Sequence, residues 1–113
     1  MSKDILTAKK TVETEIKALK KLRSSFNNSS QFSKAVNVLN KMKGKCLVVG
    51  VGKSYIIGLK VSSTLASLSI PSVAFSANDL QHGGLGAIQK NHDCLLVFSV
   101  SGESSELNSI LRY

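Results

Sequence analysis

The sequence predicts an α/β fold, a three-layer doubly wound parallel sheet preceded by two N-terminal helices. Three features carry that expectation. Apolar residues recur in steps of three and four through the amino-terminal part of the chain, short wholly apolar runs begin after Gly44, and those runs alternate with further helical patterns. Strands that are apolar throughout belong to parallel sheets covered on both faces, and alternation of strand with helix marks βαβ units.

The elements follow in order. Ile5, Ala8, Val12, Ile16, Leu19, Leu22 and Phe26 form one stripe of a helix over 3–26, with lysines on the opposite side. Asn27-Asn28-Ser29-Ser30 interrupts it, and Ser30 is the expected N-cap of a second helix carrying Phe32, Ala35, Val36, Leu39 and Met42. Gly44 suits the C-terminal turn of that helix. Cys46 to Val49 reads as a buried strand that enters a tight turn at Gly50-Val51-Gly52. A helix runs on through Ile56, Leu59, Leu65 and Leu68, Pro71 is expected to stop it, and Ser72 to Phe75 forms a second strand. Asn78 to Asn91 reads as irregular. Asp93 to Phe98 is the third and strongest strand, and the stretch from Ser99 to Glu106 leads into a helix with Leu107, Ile110 and Leu111. This divides the chain into a helical segment, 1–45, expected to pack on the domain, and a sheet-forming part, 46–113.

Composition fits a folded protein: of 113 residues, 42% are hydrophobic and 19% charged. No apolar run is long enough for a membrane span, and the start of the chain lacks the apolar core of a secretory signal, so a cytoplasmic protein is expected. Cys46 and Cys94 lack a second Cys or a His at zinc-ligand spacing and read as buried free thiols. The net charge of +8 is concentrated: 11 of the 15 Lys/Arg fall in residues 1–45, with only three acids. A basic helical face can bind nucleic acid or be the solvated side of an amphipathic helix. Few aromatics and no arginine cluster favour the solvated face, with neither nucleic acid nor membrane as partner.

Chemistry concentrates in two turns. Gly50-Val51-Gly52-Lys53-Ser54 leaves a strand and opens a helix, where free backbone N–H groups and the helix dipole can hold a phosphate. It is not a P-loop, whose first glycine would fall at Leu47, nor a dinucleotide fingerprint, whose third glycine would fall at Tyr55. Ser99-Val100-Ser101-Gly102-Glu103-Ser104 leaves the third strand in the same manner and offers three hydroxyls. Two such turns on neighbouring strands define a crevice beyond the carboxyl edge of the sheet.

These turns, with Gln81-His82-Gly83-Gly84-Leu85-Gly86 between them, resemble the sugar isomerase (SIS) domain and, in the His-Gly-x-Leu-Gly segment, its arabinose-5-phosphate isomerase branch. The resemblance implies a reversible aldose–ketose conversion between D-arabinose 5-phosphate and D-ribulose 5-phosphate through a cis-enediol. In that branch the reaction feeds lipopolysaccharide or capsule synthesis, in a homo-oligomer that needs no metal or organic cofactor. Matched position by position, it makes Lys53, His82 and Glu106 catalytic, and Gly52, Ser54, Ser99, Ser101 and Ser104 the phosphate-binding set. The residue types suit that chemistry: Glu106 as base, Lys53 beside the enediolate oxygen or the phosphate, and His82 for ring opening or proton shuttling. Other readings attach to the same residues: Glu106 also suits a helix dipole, Lys53 can be a phosphate anchor alone, and His92 reads as a surface residue.

Two departures stand out. Gly84 replaces an acid usual in the branch, and Tyr55-Ile56-Ile57 replaces glycine-histidine-isoleucine. A whole SIS domain continues with further strands beyond the position of Tyr113, so a truncated domain is expected. A non-catalytic phosphosugar-binding or sensor module, or an inactive fragment, is the alternative to an isomerase.

Overall fold

The computed structural model describes residues 2–102 and 105–113, which fall into two compact units, Met1–Asn37 and Val38–Tyr113. Helix α1 spans Lys3–Ser25, and its N-cap Ser2 accepts from the Ile5 amide at 3.4 Å. A 3-10 turn, Phe26–Asn28, leads to α2, Ser30–Lys41. The cap of α2 is Ser29 rather than the expected Ser30: Ser29 Oγ accepts from the Phe32 amide at 3.2 Å, and Ser30 is already the first helical residue. An N-cap residue must sit outside helical geometry for its side chain to reach the third amide, and Ser29 meets that condition with φ −91 and ψ 86. Phe26 and Phe32 meet edge to face across the turn, centroids 4.9 Å apart.

In the second unit, β1 (Cys46–Gly50), α3 (Lys53–Ser67), β2 (Ser72–Ser76), α4 (Ala77–Gln81), a 3-10 turn (Gly84–Ala87), β3 (Cys94–Phe98) and α5 (Ser105–Leu111) follow in order. The three strands are parallel, ordered β2-β1-β3, with Gly50 in register with both Ser76 and Phe98. Central β1 is buried at every residue; β2 and β3, at the edges, are half-buried. Side chains of β1 alternate between two layers. Val49 joins Ala77 and Leu80 of α4 and Leu107 and Ile110 of α5 in one cluster, whereas Val48 faces α3, where Gly58 approaches so closely that a Cβ would lie 3.2 Å from it. Helices therefore cover both faces, and the expected three-layer parallel architecture is present.

Two local expectations change. The stretch 78–91 is not irregular throughout, because Ala77 and Leu80, three apart, bury one side of the short α4. Pro71 does not end α3. The helix closes earlier, with Ser69 at φ 63 and amides of Ser69 and Ile70 donating to Ala66 and Leu65 carbonyls, each at 3.0 Å. This is a left-handed C-terminal cap built on a serine. Among the described residues no helix is long and apolar enough to cross a membrane.

Candidate functional site

Parallel strands put all their carboxyl ends at one edge, so the segments after Gly50, Ser76 and Phe98 emerge together. Because β2 lies on one side of β1 and β3 on the other, the chain direction across the sheet reverses at β1. The crevice at such a reversal is where open α/β sheets take ligands, and it is flanked here by the turns after β1 and β3.

In the first turn two glycines have different jobs. A Cβ on Gly50 would lie 2.6 Å from the Ser54 carbonyl carbon and the Tyr55 nitrogen, so its absence lets the start of α3 close over the strand end. Gly52 has open space around it but adopts φ 55 and ψ −123, a conformation that side-chain-bearing residues avoid. The amides of Ser54 and Tyr55 turn back to Val51 and Gly52 carbonyls, each at 3.1 Å, while those of Gly52 and Lys53 have no acceptor among the described residues. These two donors stand at the N-terminus of a 15-residue helix, where the dipole favours an anion. Lys53 is exposed and Ser54 half-buried.

In the second turn, half-buried Ser99 accepts from the Gly102 amide through Oγ at 2.8 Å, and Gly102 sits at φ 72. Ser99 thus shapes the turn, and no acceptor among the described residues takes its hydroxyl proton. Ser101 is exposed in the same turn. Ser104 lies outside the described residues. Half-buried Glu106 is in the first turn of α5, and its Oε2 accepts from Ser105 Oγ at 3.3 Å.

His82 is exposed at the C-cap of α4, followed by Gly83 at φ 118. The residue before His82, to which the sequence assigned no role, reaches the backbone of Glu106. Gln81 Nε2 donates to the Glu106 carbonyl at 2.8 Å and to Ser109 Oγ at 2.7 Å. Partners 25 and 28 positions away leave no local sequence signal. Gly84, where the branch usually carries an acid, has no room for one: a Cβ would lie 2.9 Å from the Asp79 carbonyl oxygen. Of the altered Tyr55-Ile56-Ile57 stretch, Ile56 and Ile57 are exposed and Tyr55 is half-buried.

A cavity of ≈ 310 Å³ against α5 and β3 is lined by Leu47, Ile88, Cys94, Leu95, Ile110 and Tyr113 among others. None of the predicted site residues lines it.

Known proteins are similar to this chain in sequence and fold. The SIS domain family model matches residues 39–113. Arabinose 5-phosphate isomerase KdsD of Francisella tularensis is 36% identical over 114 residues, which cover 98% of this chain and 34% of that protein. Arabinose 5-phosphate isomerase KpsF of Escherichia coli O6:H1 is 34% identical over 103 residues, 91% of this chain and 31% of that one. Among solved structures, E. coli CFT073 c3406 in complex with arabinose 5-phosphate superposes with a TM-score of 0.84 at 32% identity, covering 99% of this chain and 59% of that one. The chain spans roughly a third of the length of these curated relatives. With its matched region holding the whole sheet and both turns, the chain belongs to the SIS domain family.

Proposed function

We propose that this chain supplies the phosphosugar-binding half of an aldose–ketose isomerase that interconverts D-arabinose 5-phosphate and D-ribulose 5-phosphate. The observation that carries the reading is the reversal of strand order at β1, which sets the Gly52 and Ser99 turns on either side of one crevice. The activity for which the KdsD and KpsF relatives are named, and the arabinose 5-phosphate bound to the E. coli structure, support the choice of sugar. The phosphate is held by the amides of Gly52 and Lys53 and the hydroxyls of Ser54, Ser99, Ser101 and Ser104. Bonds from such donors to an anion are about twice as strong as neutral ones.

With the phosphate fixed, the sugar's reacting carbons extend toward the segments after β2 and β3. Glu106 takes the carbon-bound proton from C2 of the aldose and returns it to C1. Lys53 steadies negative charge on the enediolate oxygen, and His82 moves the proton between oxygens or opens the ring. The protein works in the cytoplasm as a homo-oligomer, and no step needs a metal or organic cofactor.

The test grafts residues 1–113 in place of the matching segment of the Francisella relative and follows ribulose 5-phosphate formation in D2O. The graft is expected to turn over with solvent deuterium at the reacting carbon. Its Glu106→Gln variant should bind phosphosugar while turnover falls by about 10²–10⁴. A folded graft that binds arabinose 5-phosphate but exchanges no carbon-bound proton would instead make this segment a sensor module.

A further inference from the structure

Gln81 ends α4, immediately before His82, and its side chain crosses to α5. A backbone carbonyl only accepts hydrogen bonds, so the group facing the Glu106 carbonyl is the amide NH2, and both of its donors are spent, on that carbonyl and on Ser109 Oγ. Ser109 Oγ in turn donates to the same Glu106 carbonyl at 3.0 Å, which closes a ring of three hydrogen bonds. One corner of the ring is the side chain of Gln81, the residue before His82; another is the backbone carbonyl of Glu106.

Beneath the ring, Leu80, Leu107 and Ile110 hold α4 against α5. Apolar contact is non-directional and lets a short helix rotate or slide, whereas hydrogen bonds fix direction. Both helices need such fixing: α4 has five residues and α5 seven, too few to be helical without tertiary contacts. The positive-φ glycine after His82 gives its turn further freedom. Gln81 is exposed, so water competes for its bonds and they add little to global stability. Their effect is on geometry.

We infer that Gln81 is a positioning residue, which locks the His82 turn to the first turn of α5 and so sets the imidazole relative to the Glu106 carboxylate without touching substrate. The role in chemistry rests on the isomerase reading; the lock itself does not.

Gln81→Glu keeps the shape, removes both donors and sets a carboxylate against a carbonyl, whereas Ser109→Ala leaves the direct bond from Gln81 to the Glu106 carbonyl. In the 113-residue chain, Gln81→Glu should speed amide hydrogen exchange at His82–Ala87 and along α5, with exchange in β1 unchanged; Ser109→Ala should do so to a smaller extent. Arabinose 5-phosphate should still shift the Gly52 and Ser99–Gly102 amides of Gln81→Glu, but no longer those of His82 and α5. In the grafted enzyme kcat should fall about tenfold or more, because small misplacements of reacting groups cost that much, while KM stays within about twofold. Unchanged exchange at both segments in Gln81→Glu would overturn the lock whether or not the graft is active. Altered exchange with kcat unchanged in an active graft would overturn the positioning role. A graft that binds sugar without turning it over would remove the isomerase reading, and exchange would still decide the lock.

Discussion

The two ends of the sheet are built from the same three strands and use their polar groups in opposite ways. At the amino end a set of donors meets acceptors inside the protein. The Asp93 carboxylate, its side chain 2% exposed, accepts from the Lys45 amide, Lys45 Nζ and the Gln89 amide, each at 2.8 Å. The His92 carbonyl takes the Lys43 and Gly44 amides, and a Cβ on Gly44 would collide with the Asp93 carboxylate. Ser72 Oγ donates to the Cys46 carbonyl and accepts from Ser62 Oγ, both at 3.2 Å. Cys94 Sγ points to Met42 Sδ at 3.3 Å, and burial, with a hydrogen bond to Cys94, pushes the Cys46 thiol up to about 12. At the carboxyl end, the amides of Gly52 and Lys53 have no acceptor among the described residues, glycines hold positive φ, and Lys53 and His82 are exposed. One end ties the strands together; the other leaves the two amides at the start of α3 open, where the proposed phosphate would sit. Substitutions at the amino end should therefore change stability and leave binding alone, and those at the carboxyl end should do the reverse.

The largest effect is expected at Asp93. Asp93→Ala leaves the Lys45 charge and two amides without their acceptor and should cost roughly 2–4 kcal/mol, toward the low side of the range for broken buried pairs because Lys45 is one-third exposed. Chemical denaturation measures it, and phosphosugar affinity at equal folded concentration should not move. The same carboxylate sets an acid limit. Burial works to raise its pKa, but the hydrogen bonds from Lys45 and Gln89 and the charge of Lys45 outweigh it and hold the group at about 2, against 3.8 when unperturbed. A depressed folded pKa gives stability that is complete above the unfolded value and is lost as pH falls from about 4 through 2, an amount on the order of 2 kcal/mol. In Asp93→Asn that part of the acid transition should vanish.

At the other end, Gly52→Ala forces a side chain into a conformation that costs about 1–3 kcal/mol. Because the position is exposed and local, the turn is expected to rearrange rather than the fold to melt. Phosphosugar affinity should then drop by roughly tenfold or more with little change in thermal midpoint. A large loss of stability with unchanged affinity would place Gly52 with the structural end. The smallest effect is expected at Ser69, three residues before β2 and near the amino end of the sheet. Its φ of 63 is strained for serine, so Ser69→Gly should stabilise by about 0.5–1 kcal/mol, read from the denaturation midpoint.

The strands were legible because a run such as Cys46–Val49 is apolar at every residue, and β1 proves to be the central, fully buried strand. Both glycine and serine turns were legible because their residue types announce free backbone and hydroxyl donors. What the sequence hid depends on partners far along the chain or on a residue in an uncommon role. Asp93 reads as the start of a strand until it meets Lys45, 48 positions earlier. Gln81 reads as filler in a motif until it meets Glu106. Ser69 shows no helix-stop signal because glycine usually takes that left-handed position, and the nearby Pro71 drew the assignment instead. Five-residue α4 is too short for its period to show.

The division of labour between the two ends is tested most directly by amide chemical shifts of the chain titrated with D-arabinose 5-phosphate. Shifts should grow at Gly52, Lys53, Ser54 and Ser99–Gly102 and follow one saturation curve, while Lys45, Gln89, Asp93 and Cys94 stay still. Unphosphorylated D-arabinose should leave all of them unmoved. Shifts confined to the cavity around Ile88, Leu95 and Tyr113, or equal responses to the two sugars, would contradict a phosphate crevice at the carboxyl edge.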